Sequence, residues 1–202
     1  MNEPETHSAA LSRVEPLSRA HDVSSFDCGE HTSLNTWLSR FAWMNQQNET
    51  SRTYVVHRAN RIVAYYSIAT GSLRREDAPA SVAKGLASHP IPVIVLARLA
   101  VDRTEQGKGI GRALIKDALV RIAAAADIVG ARAVLVHAID APAAAFYRSF
   151  DFDPCPENDL HLMLPMKDLR RGLQPRTGRG PTSRKRDVGH PARRFTSLPA
   201  CV

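Results

Sequence analysis

The chain has 202 residues, 44% of them hydrophobic, which suits one globular domain with an appendage. Its formal net charge is +7, but residues 169–202 alone contribute +8, which leaves −1 for residues 1–168. The first 25 residues are polar and charged, and no apolar run approaches the ~20 residues that span a bilayer. Neither a secretory signal nor a membrane span is therefore expected.

The three cysteines, Cys28, Cys155 and Cys201, form neither a CxxC pair nor any other metal-ligand spacing. Reduced thiols are the default for such a chain in the cytosol. We therefore expect a cytoplasmic protein without a metal site.

The N-terminal part predicts a short strand followed by a helix. Residues 13–17 can form the strand, which Pro16 restricts to a sheet edge or a strand end. Thr32 or Ser33 can cap the helix, which should extend to about Gln47. Apolar residues recur at helical spacing along it and are predicted to be core: Leu34, Trp37, Leu38, Phe41 and Met44.

Two β-rich runs, 52–57 and 61–70, are separated by three residues and predict a hairpin. The stretch from Gly71 to Pro92 is predicted to be a loop with a brief helix around 81–87, because Pro79, Gly85, Pro90 and Pro92 break long regular structure.

The segment from Val93 to Asp102 begins as a continuous apolar run, typical of a strand buried on both faces. Three alternate glycines follow, and a helical pattern then covers 110–129. A strand, a glycine loop and a helix N-terminus in this order form an anion site. A P-loop is excluded because Gly109 follows Lys108, and the dinucleotide fingerprint is excluded because Arg112 stands where its third glycine belongs.

The remaining pattern predicts a strand at 132–138, a helix at 141–150 capped by Asp140, and a strand at 160–166. Two strand–helix units beside a meander imply an α/β fold, with a mixed central sheet flanked by helices on both faces. We expect a flexible N-terminus over 1–12, a domain over 13–168, and a basic, disordered tail over 169–202.

Two motifs resemble the GNAT family of N-acetyltransferases. Gln106-x-x-Gly109-x-Gly111 is similar to the family's pyrophosphate loop, and Phe146-Tyr147 is similar to the start of its Phe-Tyr-x-x-x-Gly-Phe helix. The resemblance implies the acyl-CoA N-acyltransferase fold, acetyl-coenzyme A as co-substrate, and Tyr147 as proton donor to the departing thiolate. It implies cofactor contacts from Leu99, Ala100, Val101, Gln106, Gly107, Lys108, Gly109, Ile110, Gly111 and Arg112. Asp151 departs from the family, which usually has glycine in that turn.

A narrower resemblance covers about residues 13–167. Phe26-Asp-Cys-Gly, Pro90-Ile-Pro-Val-Ile-Val-Leu-Ala-Arg-Leu and Val136-His-Ala are among the blocks that resemble acetyltransferase toxins of toxin–antitoxin pairs, the TacT-like group. This resemblance implies acetylation of the α-amine of aminoacyl-tRNA, arrest of translation, a homodimer, and neutralisation by a ribbon-helix-helix antitoxin. Because tRNA is a polyanion, basic side chains should surround the active site, and the candidates are Arg74, Arg75, Arg98 and Arg148.

Two alternatives stay open on the sequence. A GNAT enzyme of this kind can act on a protein N-terminus or on a small amine. A GNAT fold can also be non-catalytic and serve only to bind partners, and Asp151 and the basic tail support this alternative.

Overall fold

The computed structural model describes residues 9–86 and 89–174. Within them lie the strands β1 (Glu15–Pro16), β2 (Arg52–Arg58), β3 (Arg61–Leu73), β4 (Ile91–Val101), β5 (Ala133–His137), β6 (Asp153–Cys155) and β7 (Asn158–Pro165). The α-helices are α1 (Thr32–Trp37), α2 (Trp43–Gln47), α3 (Ala80–Ala83), α4 (Ile110–Val129), α5 (Ala141–Arg148) and α6 (Met166–Leu173). In the described part of the chain, no helix is long and apolar enough to cross a membrane.

The strands form one mixed sheet in the order β1-β2-β3-β4-β5-β7-β6. β4 and β5 are parallel neighbours, whereas the other neighbouring strands are antiparallel. The predicted hairpin is confirmed as β2 and β3, and its turn residues Ala59 and Asn60 have φ values of 45° and 68°. Two consecutive left-handed residues give the turn that matches the twist of paired strands.

Helices cover both faces of the sheet, as predicted. α4 packs on one face through its apolar stripe, which includes Leu114, Ile115 and Ile122. On the other face, Leu34 and Leu38 of the first helical stretch pack against Tyr65 of β3. The bounds of α4 agree with the predicted helix, which ends before Gly130 at φ 74°.

The first helical stretch differs from the prediction in its cap and its buried face. Thr32 is already the first helical residue, and His31 occupies the N-cap without a side-chain hydrogen bond, so neither Thr32 nor Ser33 caps the helix. A π-helical segment, Leu38–Ala42, joins α1 to α2. Its wider turn continues the buried face at intervals of four residues. Phe41 and Met44, predicted to be core, are therefore 43% and 47% exposed.

The C-terminal part contains two elements that the sequence analysis missed. β6 has only three residues, two of them Asp153 and Pro154, which carry little β signal. α6 continues to Leu173, five residues past the predicted end of the domain, because Leu169 is buried in the α4 core. Residues 169–173 are thus helical, and the predictions for 1–8 and 175–202 fall outside the described residues.

Candidate active site

β4 and β5 separate partway along their length. They pair from Val93↔Ala133 to Leu96↔Val136, whereas β4 continues to Val101 against β3 alone. The backbone N–H of Asp102 donates to the carbonyl of Val63 at 2.8 Å. Because hydrogen bonding alternates along an antiparallel pair, the backbone groups of Leu99 and Val101 point away from β3, into the opening. The edge at Leu99 can pair with a strand-like ligand, whereas the Val101 carbonyl already accepts from the Gln106 side chain at 3.0 Å.

A cavity of about 550 Å³ lies at this opening. Ala97 is an extra residue in β4, since Arg98 pairs with Ser67 and Leu96 with Ile68. Such a bulge re-aims the side chains beside it. The cavity is lined by Thr32, Ser33, Leu34, Thr36, Trp37, Phe41, Leu96, Ala97, Arg98, His137, Ile139 and Tyr147.

Tyr147 projects from α5 and reaches this cavity. The Asp140 side chain caps α5 by accepting from the N–H of Ala143 at 2.7 Å, as predicted. The Tyr147 ring is 2% exposed, and its centroid lies 5.6 Å from those of Phe146 and Phe152. Burial raises the pKa of the phenol above its ordinary value, so that Tyr147 stays protonated at neutral pH. It is thus a proton donor in an apolar setting.

The glycine loop has the backbone of an anion site. Gly107 and Gly109 have φ values of 76° and 81°, which side chains other than glycine adopt only with strain. A Cβ at either position would meet nothing within 4 Å, so conformation and not crowding requires these glycines. Gly109 is the N-cap of α4, and residues 107–109 are exposed. The N–H groups of the first turn can therefore reach a phosphate.

Hydrogen bonds brace the loop against the rest of the domain. The Gln106 side-chain nitrogen donates to the carbonyls of Cys28 and Val101, each at 3.0 Å. Asp102, 2% exposed, accepts from the hydroxyl of Thr104 at 2.6 Å and from the N–H of Asp27 at 3.2 Å. Sequence reasoning missed these braces, although an Asp-x-Thr run after a strand is a recognisable turn signal.

The cationic side chains of the loop are already engaged within the protein. Lys108 lies 3.2 Å from Glu105, which Arg58 also contacts at 3.1 Å. Burial opposes ionisation of Glu105, but the hydrogen bonds from Arg58 and Lys108 hold its pKa below the ordinary value. The Arg112 guanidinium lies 4.9 Å from the centroid of the Phe150 ring. Both cations remain beside the loop, where they can add charge to an anion site.

Of the four arginines predicted to contact tRNA, Arg98 alone lines the cavity; its guanidinium lies 5.8 Å from the centroid of a Trp37 ring. Arg74 and Arg75 follow Leu73, which pairs with Ile91 at the other end of β4. Arg74 is bound there to Glu76 and Asp77.

Arg148 lies on α5 and donates to the carbonyl of Asp159 at 3.2 Å, and it faces a separate depression that Asp151 also lines. Asp151 has a φ of 65°, which is the left-handed turn expected where the family has glycine. The roles of Arg74, Arg75 and Arg148 toward tRNA stay predictions.

Glu15, His21 and His57 cluster outside this site. The Nε2 atoms of His21 and His57 lie 2.9 and 3.2 Å from the same Glu15 oxygen. Each Nδ1 accepts from a backbone N–H, of Ser18 and Asn60 respectively, so each neutral ring carries its proton on Nε2. A metal ion bound at Nε2 would force the ring proton onto Nδ1, where it would face the backbone N–H that now donates to Nδ1. The cluster therefore fits a shared hydrogen bond to Glu15 better than a metal site.

We expect Gln106→Ala to lower the melting temperature by about 3–6 °C. Two carbonyls lose their donor, which costs about 1–2 kcal/mol in a domain of this size. Thermal unfolding followed by circular dichroism measures the shift. Gln47→Ala, at an exposed glutamine at the end of α2, is the matched control. An equal melting temperature for Gln106→Ala and the control would contradict the brace.

Comparisons with known proteins agree with this geometry. A family model described as an acetyltransferase (GNAT) domain matches residues 49–154. The chain is 48% identical over 154 residues to the tRNA-acetylating toxin of Mycobacterium tuberculosis, covering 76% of this chain and 92% of that protein. It is similar to the solved structure of AtaT complexed with acetyl-methionyl-tRNAfMet, with a TM-score of 0.74, 30% identity, and coverage of 82% of this chain and 100% of that one.

A second AtaT structure contains a tyrosine-to-phenylalanine mutant of the toxin, bound to the C-terminus of the antitoxin AtaR and to acetyl-CoA. It is 28% identical to this chain, with a TM-score of 0.69 and coverage of 81% of this chain and 98% of that one.

Proposed function

Because this chain belongs to the GNAT family of acetyltransferases, we propose that it transfers acetyl from acetyl-CoA to the α-amine of aminoacyl-tRNA and thereby arrests translation. The observation that carries the proposal is the 48% identity to a tRNA-acetylating toxin over most of both chains. The opening between β4 and β5, with Tyr147 beside it, supplies the chemistry that this reaction needs.

The cofactor lies along β4 and on the glycine loop. Leu99 would hold its pantetheine arm through outward backbone groups, and Ala100 and Val101 would line the same stretch, although the Val101 carbonyl already accepts from Gln106. The pyrophosphate binds the N–H groups of residues 107–111 at the α4 N-terminus, where Lys108 and Arg112 add positive charge. Gln106 stabilises this loop, since its side-chain amide already donates hydrogen bonds to two backbone carbonyls.

The reaction needs a neutral amine and a proton for the leaving thiolate. The lone pair of the α-amine attacks the acetyl carbon of the thioester, and a backbone N–H of β4 stabilises the oxyanion that forms. The carbon–sulfur bond then breaks, and the Tyr147 phenol protonates the sulfur of coenzyme A. The buried position of Tyr147 supports this role, because a phenol with a raised pKa keeps its proton until the thiolate departs.

Charge at the mouth of the cavity supports a polyanionic acceptor. Arg98 lines the cavity and lies against Trp37, where it can meet the terminal nucleotides of tRNA. Arg148 lies on the same helix as Tyr147, whereas Arg74 and Arg75 can contact only more distant phosphates, from the far end of β4.

The partners follow from the same proposal. AtaT has been solved with the C-terminus of the antitoxin AtaR, which supports neutralisation of this toxin by a cognate antitoxin. The resemblance to the TacT-like group implies that this antitoxin is of the ribbon-helix-helix type. The same resemblance implies that the toxin works as a homodimer, in the cytoplasm, where charged tRNA is found.

Transfer of labelled acetyl from acetyl-CoA to tRNA tests the proposal. We expect the purified protein to label charged tRNA and to spare the same tRNA after its ester has been removed by mild base. A mixture of charged tRNAs identifies which aminoacyl group is accepted. Absence of label on every charged tRNA would contradict the proposed acceptor. Label on peptide N-termini or small amines instead would identify a different acyltransferase.

A further inference from the structure

His137 is the last residue of β5 and lines the same cavity as Tyr147. The last rung between β4 and β5 is Leu96↔Val136, so His137 is the first residue past the point at which the strands separate. Val136 is buried in the core beneath α4. Side chains alternate along a strand, and His137 therefore faces the other side of the sheet, which the first helix covers.

His137 lies across the opening from the place where the acetyl end of acetyl-CoA is expected. A pantetheine arm that runs along Val101 and Leu99 places its acetyl group near Ala97, the bulge residue across the opening from His137. Tyr147 belongs to the core cluster beneath α4, whereas His137 faces the other side of the sheet, so the two residues approach the cavity from different sides, as separate acid and base groups need.

The surroundings of His137 favour the neutral imidazole. His137 is exposed at one side of the cavity, but partial desolvation by the protein around it lowers its pKa, and the nearby His161 and Arg98 lower it further. The ring of His161, its direct partner on β7, lies 4.2 Å away between centroids. The other ionisable groups nearby are Tyr147 and the His31–Asp140 pair, which is 3.2 Å apart and adjoins the lining residues Thr32 and Ile139. An imidazole in this setting is a base at neutral pH.

We propose that His137 accepts a proton from the α-ammonium group of aminoacyl-tRNA, as the base that complements the acid Tyr147. The inference rests on the proposed function. An α-amine has an ordinary pKa of about 7.7–8.0, lowered by the ester, so part of the substrate is protonated near neutrality. His137 takes one proton and frees the lone pair that forms the bond to the acetyl carbon.

The remaining protons balance. Tyr147 protonates the coenzyme A sulfur as the carbon–sulfur bond breaks, and it regains a proton from the second N–H of the nitrogen as the amide forms. His137 releases its own proton to water, so each acetyl transfer releases one proton.

The pH dependence of His137→Gln tests the proposal. We expect kcat/KM with charged tRNA to fall by up to about 20-fold at pH 6.5 and by about twofold or less at pH 8, because the fraction of amine that is already neutral limits what a base for the ammonium can contribute. The affinity for acetyl-CoA should not change. A merely structural role would lower kcat/KM equally at both pH values. His89→Gln is the matched control, because it makes the same chemical change at an exposed histidine outside the cavity and should keep the wild-type ratio between the two pH values.

The outcomes separate the two proposals. If the wild-type protein acetylates no charged tRNA, the proposed function fails. If the wild type is active but His137→Gln loses nothing, or loses the same factor at both pH values, the role of His137 is overturned. A pH-dependent loss in His89→Gln of the size expected for His137→Gln would also overturn it, because the loss would then not be specific to the histidine of the cavity.

Discussion

Tyr147→Phe is expected to lower kcat for acetyl transfer by about 10²–10⁴-fold, the usual contribution of a positioned general acid. The substitution removes the one hydroxyl that Tyr147 presents to the cavity and keeps the ring against Phe146 and Phe152. The fold and the affinity for acetyl-CoA should therefore be preserved. Steady-state transfer to charged tRNA and calorimetric titration with acetyl-CoA measure the two quantities.

Tyr54→Phe provides the matched control. It removes a hydroxyl from a tyrosine on β2, where the ring stacks on Tyr66 with centroids 5.2 Å apart, away from the cavity. Its kcat should stay within about twofold of the wild type, since a change remote from the site usually has a small effect. If Tyr147→Phe retained full activity, the proton for the thiolate would come from another group.

The double substitution Gly107→Ala with Gly109→Ala is expected to weaken acetyl-CoA binding by roughly 10²-fold. Each glycine has a left-handed backbone, and an alanine there costs about 1–2 kcal/mol. The loop can relieve this strain by changing conformation, which turns the N–H groups of the α4 N-terminus away from the pyrophosphate. Calorimetric titration with acetyl-CoA measures the loss.

Gly172→Ala makes the same chemical change inside a helix. Gly172 lies in α6, outside the left-handed region, and a Cβ there meets nothing within 4 Å. This variant should bind acetyl-CoA like the wild type and be more stable by about 0.5–1 kcal/mol. Wild-type affinity in the double variant would show that the glycine loop is not the pyrophosphate site.

The sequence predicted best those elements whose signals are local. The bounds of α4 follow from a periodic apolar stripe and from Gly130, which ends the helix. The Asp140 cap follows from the Asp-Ala-Pro start of α5. The hairpin of β2 and β3 follows from two β-rich runs around a short turn. Each of these rests on residues a few positions apart.

Features that depend on distant contacts were not predictable in the same way. The separation of β4 from β5 after Leu96 is set by the neighbouring strands and by the bulge at Ala97, so the sequence indicated the strand but not its open edge. α6 is amphipathic but short and basic, so its sequence gives a weak helix signal. It is stabilised by the packing of its buried Leu169 on α4, which the sequence does not show.

The candidate site shows the same division. The glycine loop and Tyr147 carry motifs, and they were found from the sequence. His137 lies in the Val136-His-Ala block and Asp102 begins an Asp-x-Thr turn, but neither pattern indicates a role, because the roles depend on strands and loops that meet only in the fold. Arg74 and Arg75 were selected for their charge alone, and the register of β3 with β4 places them at the far end of the sheet.

The most direct test of the acceptor is mass spectrometry of the tRNA 3′ end. Charged tRNA is incubated with the protein and acetyl-CoA, and nuclease digestion then releases the aminoacyl-adenosine for fragmentation. We predict a single acetyl group on the α-nitrogen of the amino acid, formed at least about 100-fold more slowly in reactions with Tyr147→Phe. An acetyl group on the adenosine, or an unmodified aminoacyl-adenosine in the presence of active protein, would contradict the account.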